Sequence, residues 1–155
     1  VKELAEKQLG QSVDVINAGE SGATTASGLE RLKFFAKQEP DILVLALGAN
    51  DGLRGFDLES SKQNLSQMID FAKSKGMTVI LAGMRMPPNL GPSYTQKFKE
   101  MYEVLQKQKQ VGWIPFLLEG VGGRKNLNQS DGIHPNPKGH QKMAETVFAV
   151  LKEHL

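Results

Sequence analysis

The stretch that decides the fold is Asp41-Ile42-Leu43-Val44-Leu45-Ala46-Leu47-Gly48-Ala49-Asn50-Asp51-Gly52. Its six consecutive apolar residues, 42–47, are too few for a buried helix and lack the alternation of a half-exposed strand. Such a run marks a strand covered on both faces, the usual condition in a parallel sheet. The Asn-Asp-Gly that follows is turn chemistry, so the chain is expected to leave the sheet after Leu47. Working outward, residues 78–83 repeat the pattern. Residues 111–116 form a weaker run, whose Pro115 suits an edge strand or a strand end. Upstream, residues 13–16 read as a half-exposed strand.

Helical stretches separate these runs. One spans residues 25–38 and is stopped by Pro40. Another covers 58–75, with Leu58, Leu65, Met68, Ile69 and Ala72 on one face and Gly76 at its end. A third is predicted to begin with Ser93 and Gln96 in capping-box spacing, and Tyr94, Phe98, Met101, Tyr102 and Leu105 form its stripe. The last starts at Asn136-Pro137, an N-cap followed by a first-turn proline. The chain opens at Val1 within a short helix closed by Gly10. Alternating strands and helices predict an α/β fold, a doubly wound parallel sheet with right-handed crossovers and helices on both faces. No repeat or linker interrupts residues 1–155, so a single domain is expected.

Composition narrows the function classes. The 155 residues are 39% apolar and 23% charged, as in folded globular domains. Nineteen basic against seventeen acidic residues leave +2, with lysines interleaved among acids and glutamines instead of forming a nucleic-acid footprint. The absence of cysteine excludes disulfides, thiolate metal sites and cysteine nucleophiles. No apolar run approaches the roughly 20 residues a membrane-spanning helix needs.

In doubly wound sheets, ligands bind beyond the carboxyl ends of the strands. That rule selects the loops at 17–24, 48–55, 84–92 and 118–135. The last contains Ser130-Asp131-Gly132-Ile133-His134-Pro135. Asp131 and His134, three residues apart on a turn, can pair, leaving the other ring nitrogen free as a base. The competing reading is an aspartate that caps turn amides beside an incidental surface histidine. Two candidate ligands are too few for a metal site, and His140 has no partner at ligand spacing. In the second loop Asn50 can serve as an oxyanion donor or belong to a plain turn. The first loop, Asn17-Ala18-Gly19-Glu20-Ser21-Gly22-Ala23-Thr24-Thr25, allows close backbone approach and precedes a helix N-terminus. Ser21 as a nucleophile elbow is disfavoured, because Ala23 stands where the pattern wants glycine and the preceding strand is short and polar.

Together, Asn17-Ala18-Gly19-Glu20-Ser21-Gly22, Gly48-Ala49-Asn50-Asp51 and Asp131-Gly132-Ile133-His134-Pro135 resemble, in order, the second, third and fifth sequence blocks of the GDSL/SGNH hydrolases. The likeness is nearer to the bacterial thioesterase I, lysophospholipase and arylesterase subgroup. Asp51-Gly52-Leu53-Arg54-Gly55 and Arg85-Met86-Pro87-Pro88-Asn89 look like that subgroup's substrate-side loops.

The resemblance implies a flavodoxin-like three-layer α/β sandwich and a serine acyl hydrolase acting on small acyl esters or thioesters, with no cofactor. It gives Gly22 (backbone N–H) and Asn50 (side-chain amide) to the oxyanion hole, His134 as general base and acid, and Asp131 as its orienting partner. Neither Ser12 nor Ser21 lies in the family's Gly-Asp-Ser-Leu context, so the nucleophile and the first strand are expected upstream of Val1, and the chain alone is expected to be inactive. The missing strand would lie between those at 13–16 and 42–47. A periplasmic or secreted location follows from the same resemblance. Three alternatives are a carbohydrate esterase of the same fold, a non-catalytic relative that binds a ligand or partner, and a flavodoxin-like phosphate binder. The last lacks a Walker-type lysine and leaves Asp131 and His134 unexplained.

Overall fold

A computed structural model describes all 155 residues, Val1–Leu155. The chain clusters into two compact units, Asn17–Pro115 and a second formed by Val1–Ile16 with Phe116–Leu155.

The larger unit is built on a three-stranded parallel sheet, β1 (Ile42–Leu45), β2 (Thr78–Ala82) and β3 (Gly112–Ile114), in the order β1-β2-β3. Ile42 pairs with Thr78 and Ile80 with Gly112, so β2 is central. Its residues Val79–Ala82 are accordingly all buried. β3 stops immediately before Pro115, which has no N–H to continue a ladder.

Helices α2 (Thr25–Phe35), α3 (Ala49–Leu53), α4 (Leu58–Ser74) and α5 (Pro92–Lys109) complete this unit. Ser61, Leu65, Met68, Ile69 and Ala72 form the buried stripe of α4, which packs on α2, α5 and β2. Phe98, Met101, Tyr102 and Leu105 do the same for α5, with Phe98 and Tyr102 edge-to-face at 5.3 Å between ring centroids. Each fully buried Leu, Ile, Phe or Met side chain contributes about 1.5–3 kcal/mol, so these two stripes and the inner face of the sheet carry most of the unit's stability. α4 starts at Asp57, whose carboxylate accepts from the Ser60 N–H and hydroxyl, both at 2.8 Å.

In the other unit, α1 (Lys2–Leu9) ends at Gly10 in the left-handed conformation. There α6 (Pro137–Leu151) begins as expected at Asn136, whose side chain accepts from Gly139 N–H at 3.1 Å.

Three local expectations are corrected. Residues 13–16 form no strand. Apolar character describes a face, but a strand exists only through a partner, and none pairs with this segment. Residues 49–53, expected as loop, are the short helix α3, because Gly52 N–H bonds back to Gly48 C=O at 3.0 Å and Arg54 N–H to Asn50 C=O at 3.1 Å. The third long helix starts at Pro92, ahead of Ser93, after Gly91. Proline's fixed φ opens the helix one residue early, and Gln96 donates to Glu100 instead of closing a capping box.

Candidate active site

Within the larger unit, the loop after residue 16 and α3 are joined by a series of hydrogen bonds. Arg54 Nη2 donates to Gly22 C=O at 3.2 Å and Asn50 Nδ2 to Ala23 C=O at 2.8 Å. The Asp51 carboxylate accepts from Thr25 N–H at 3.0 Å and from Thr25 Oγ1 at 2.5 Å. Gly22 sits in a turn with φ +76°, and its N–H has no protein acceptor. Asn50 is half-buried, and a side-chain amide has two donor hydrogens, so one remains after the bond to Ala23. Two amide donors on neighbouring segments are thereby left for a ligand oxygen.

The backbone that presents Asn50 is locked from beneath. Gly48 has φ +111°, where a side chain is strained, and a Cβ there would lie 2.3 Å from Tyr102 Oη. Tyr102 is buried and donates to Leu47 C=O at 2.8 Å. Burial first, and the Asp51 charge second, push its phenol pKa far above the usual range.

The first loop has an anchor that sequence reasoning missed. Arg31 of α2 donates through Nε to Ala18 C=O at 2.5 Å, through Nη2 to Gly19 C=O at 3.1 Å, and pairs with Glu20 at 3.2 Å. One planar guanidinium thus fixes three successive residues. The spacing, eleven to thirteen residues back across a turn, carries no periodic signal. Ser21, in the same loop, is exposed and its hydroxyl bonds to no side chain, so nothing there activates it as a nucleophile.

Asp131 and His134 are brought together in the other unit. Asp131 Oδ2 lies 2.7 Å from His134 Nδ1. Its Oδ1 accepts the N–H groups of Ile133 and His134, each at 3.0 Å. The residue that caps the turn amides and the partner of the imidazole are therefore the same aspartate. Backbone donation from His134, then from Ile133, then the imidazole itself, lower the Asp131 pKa to about 2. The His134 side chain is two-thirds exposed, and the bond to Asp131 engages Nδ1 and not Nε2. The turn is closed at its base by Asn128, which bridges to Pro135 and donates through Nδ2 to Val121 C=O at 2.7 Å and Arg124 C=O at 2.8 Å. Gln129 N–H to His134 C=O, at 2.7 Å, adds a further clasp.

Two segments expected to face substrate are partly structural. Asp51 is 2% exposed and Met86 is 9% exposed, each within the core of its unit. Met86 packs beside Gly52 and Phe98, while Met84 and Leu90 lie against the same core. Leu53 and Phe56 instead remain exposed at the end of α3.

Unclaimed amide donors and an imidazole already tied to a carboxylate are the equipment of acyl-transfer hydrolases, on whichever fold they occur. Comparison with known proteins specifies which. Residues 2–142 match the model of the GDSL-like Lipase/Acylhydrolase family, and the chain belongs to that family of ester and thioester hydrolases. It is 41% identical to Esterase TesA of Pseudomonas aeruginosa over 152 residues, spanning 97% of this chain and 75% of that protein. It is 39% identical to Thioesterase 1/protease 1/lysophospholipase L1 of Escherichia coli strain K12, spanning 89% of this chain and 67% of the relative. The crystal structure of TesA superimposes with a TM-score of 0.92 at 41% identity, covering 99% of this chain and 85% of that one. AlinE4, an SGNH-hydrolase family esterase, gives 0.78 at 35% identity, covering 99% and 82%. These matches establish the three-layer α/β fold class. No helix is long and apolar enough to cross a membrane.

Proposed function

We propose that residues 1–155 belong to one catalytic domain of a serine acyl hydrolase that cleaves small carboxylic esters or thioesters through an acyl-enzyme. The observation that carries this is the Asp131–His134 pair, 2.7 Å apart, with the carboxylate's other oxygen committed to the turn. An imidazole so held donates from Nδ1 and keeps Nε2 free as a base. The family match runs without interruption across both units, which supports a single domain.

In this reading the nucleophile comes from a Gly-Asp-Ser block encoded ahead of Val1, since no such sequence occurs within the 155 residues. His134 Nε2 takes the serine proton as Oγ attacks the carbonyl carbon. The oxyanion accepts from Gly22 N–H and Asn50 Nδ2, and collapse of the tetrahedral species expels the alcohol or thiol, which takes the proton from His134. Water, deprotonated by the same imidazole, then releases the acid. Exposed Leu53 and Phe56, on the segment that bears Asn50, favour a fatty-acyl or aryl substrate over a sugar ester. The names of the relatives, a thioesterase and lysophospholipase among them, agree with that choice. Export to the periplasm or medium is proposed from the same kinship.

The test is labelling with a fluorophosphonate, which traps activated serines. The full-length gene product is expected to label at an upstream serine and to hydrolyse a p-nitrophenyl acyl ester, while the 155-residue chain does neither. Hydrolysis by the 155-residue chain, or a fully active His134→Ala full-length variant, would overturn the assignment.

A further inference from the structure

We infer that Asp51 is a positioning residue for the oxyanion donors, holding Asn50 and the Gly22 peptide in register through Thr25 without touching substrate. This rests on the proposed reading of Gly22 and Asn50. Three ties join the first loop to α3 and the residue after it: Arg54 to Gly22, Asn50 to Ala23, and Asp51 to Thr25. The first is solvent-exposed, and the second uses the very amide that must also serve the oxyanion. Only the third is buried on both sides, with Thr25 and Asp51 at 1% and 2% exposure.

A buried carboxylate is an expensive choice for a mere helix cap, because removing its charge from water must be offset by strong donors. Here all of them are present. Thr25 N–H, the first backbone donor of α2, and Thr25 Oγ1 both bond to it, and Ser61 Oγ of α4 lies 3.1 Å from Oδ1. Asn64 Nδ2, also of α4, donates to Thr25 Oγ1 at 3.1 Å, which leaves that hydroxyl's proton for Asp51. The direction of donation is thereby set from α4 through Thr25 to the carboxylate. Asp51 is the next residue after Asn50, and Thr25 lies three beyond Gly22. Because α4 buries one face in the core, the bonds from Ser61 and Asn64 tie the residues beside both donors to a packed helix. Preorganised donors stabilise a transition state only if they need not be reoriented as charge develops.

The test is a double-mutant cycle in the full-length gene product, read as kcat and KM for a p-nitrophenyl ester. Asn50→Ala is expected to lower kcat by about 10²–10³-fold. Asp51→Ala is expected to lower kcat about 10–30-fold with KM within about threefold, and by less than about threefold more on the Asn50→Ala background. Asp51→Asn keeps the shape but sets an NH2 donor where the carboxylate accepts from Thr25 or Ser61, so it should recover only part of the loss and leave kcat about 3–10-fold below the parent. If Asp51→Ala does not fold, Thr25→Ala carries the same comparison, with an expected loss of about fivefold in kcat that again shrinks when Asn50 is gone. A full, additive loss on the Asn50→Ala background, or a change confined to KM, would overturn this inference while leaving the oxyanion reading intact. A silent Asn50→Ala would bring down that reading, and this inference with it.

Discussion

Replacing Gly48 by alanine probes the platform that carries Asn50, and its effect can be worked from two contacts. At φ +111° the added Cβ imposes backbone strain of about 2 kcal/mol, within the range for residues held in sparsely populated conformations. The same Cβ would stand 2.3 Å from Tyr102 Oη, so the phenol must move away from Leu47 C=O. Losing a buried hydrogen bond in this way costs roughly 2 kcal/mol more. Gly48→Ala should therefore destabilise by about 4 kcal/mol, a large fraction of the 5–15 kcal/mol typical of a domain. Tyr102→Phe alone should cost about 1.5 kcal/mol, from the unmade bond to Leu47. It also removes the atom that the new methyl strikes, so the double variant should lose only about 3.5 kcal/mol, leaving a coupling of about 2 kcal/mol. Urea unfolding followed by the fluorescence of Trp113, the single tryptophan, measures all three. With a slope near 2 kcal/mol/M, Gly48→Ala should move the midpoint by about 2 M. Strict additivity, or a cost for Gly48→Ala below about 1 kcal/mol, would refute the reasoning from close approach and positive φ.

In the full-length product, His134→Ala should cut kcat by about 10²–10⁴-fold with the protein still folded, as an exposed base would; an unchanged melting temperature with unchanged kcat would remove His134 from the mechanism. Loss of the Asp131 charge should not produce an acid limb in the kcat/KM profile above pH 4, since its carboxyl is depressed from 3.8 to about 2 and stays ionised until far lower pH. The sign for stability is the same: what Asp131 contributes to the turn is present above pH 4 and fades as pH falls through about 2, which an Asp131→Asn variant should show as a flatter acid unfolding curve. Asn136→Ala removes the cap on Gly139 N–H and should cost about 1 kcal/mol in urea unfolding. β1 is apolar throughout and paired on one edge only, so the 155-residue chain should melt well below the full-length product, and equal melting temperatures would argue against a strand that completes the sheet.

What was legible in the sequence follows from the range of the forces involved. Residues 42–47 and 78–83 announced strands as short apolar runs, though only β2 is buried through Val79–Ala82 while Ile42–Val44 of β1 are half-buried, and Asn136-Pro137 announced a helix start because capping is a contact between near neighbours. The Asp131–His134 pair was readable for the same reason, as a three-residue interaction. Residues 13–16 misled because apolar patterning cannot say whether a partner strand is at hand. Asn-Asp-Gly misled because the same residues make a turn or a first helical turn, and the bond from Gly52 to Gly48 decides between them. The role of Asp51 was illegible altogether. Its partners, Thr25 and Ser61, are 26 and 10 residues away, and only the packing of α2, α3 and α4 makes them neighbours.

The two parts of the proposed site solve the problem of preorganisation differently, and the difference is chemical. Donors to an oxyanion gain from rigidity, because any reorientation needed as charge develops subtracts from stabilisation of the transition state. Gly22 accepts from Arg54 and Asn50 donates to Ala23 beside the buried Thr25–Asp51 tie, with Tyr102 fixing Leu47 just before Gly48. A base that takes a proton from the nucleophile and delivers it to a leaving group needs its ring aimed, which a hydrogen bond to Nδ1 achieves. Asp131 meets that requirement locally, with one oxygen on two backbone amides and the other on Nδ1. The arrangement predicts an asymmetry under destabilising substitution. Packing defects in α4, such as Leu65→Ala, which should cost about 2–5 kcal/mol, should erode kcat through the oxyanion donors before they alter the pH at which activity falls. A shift of the acid limb without loss of kcat at neutral pH would show that the two parts are not separately held.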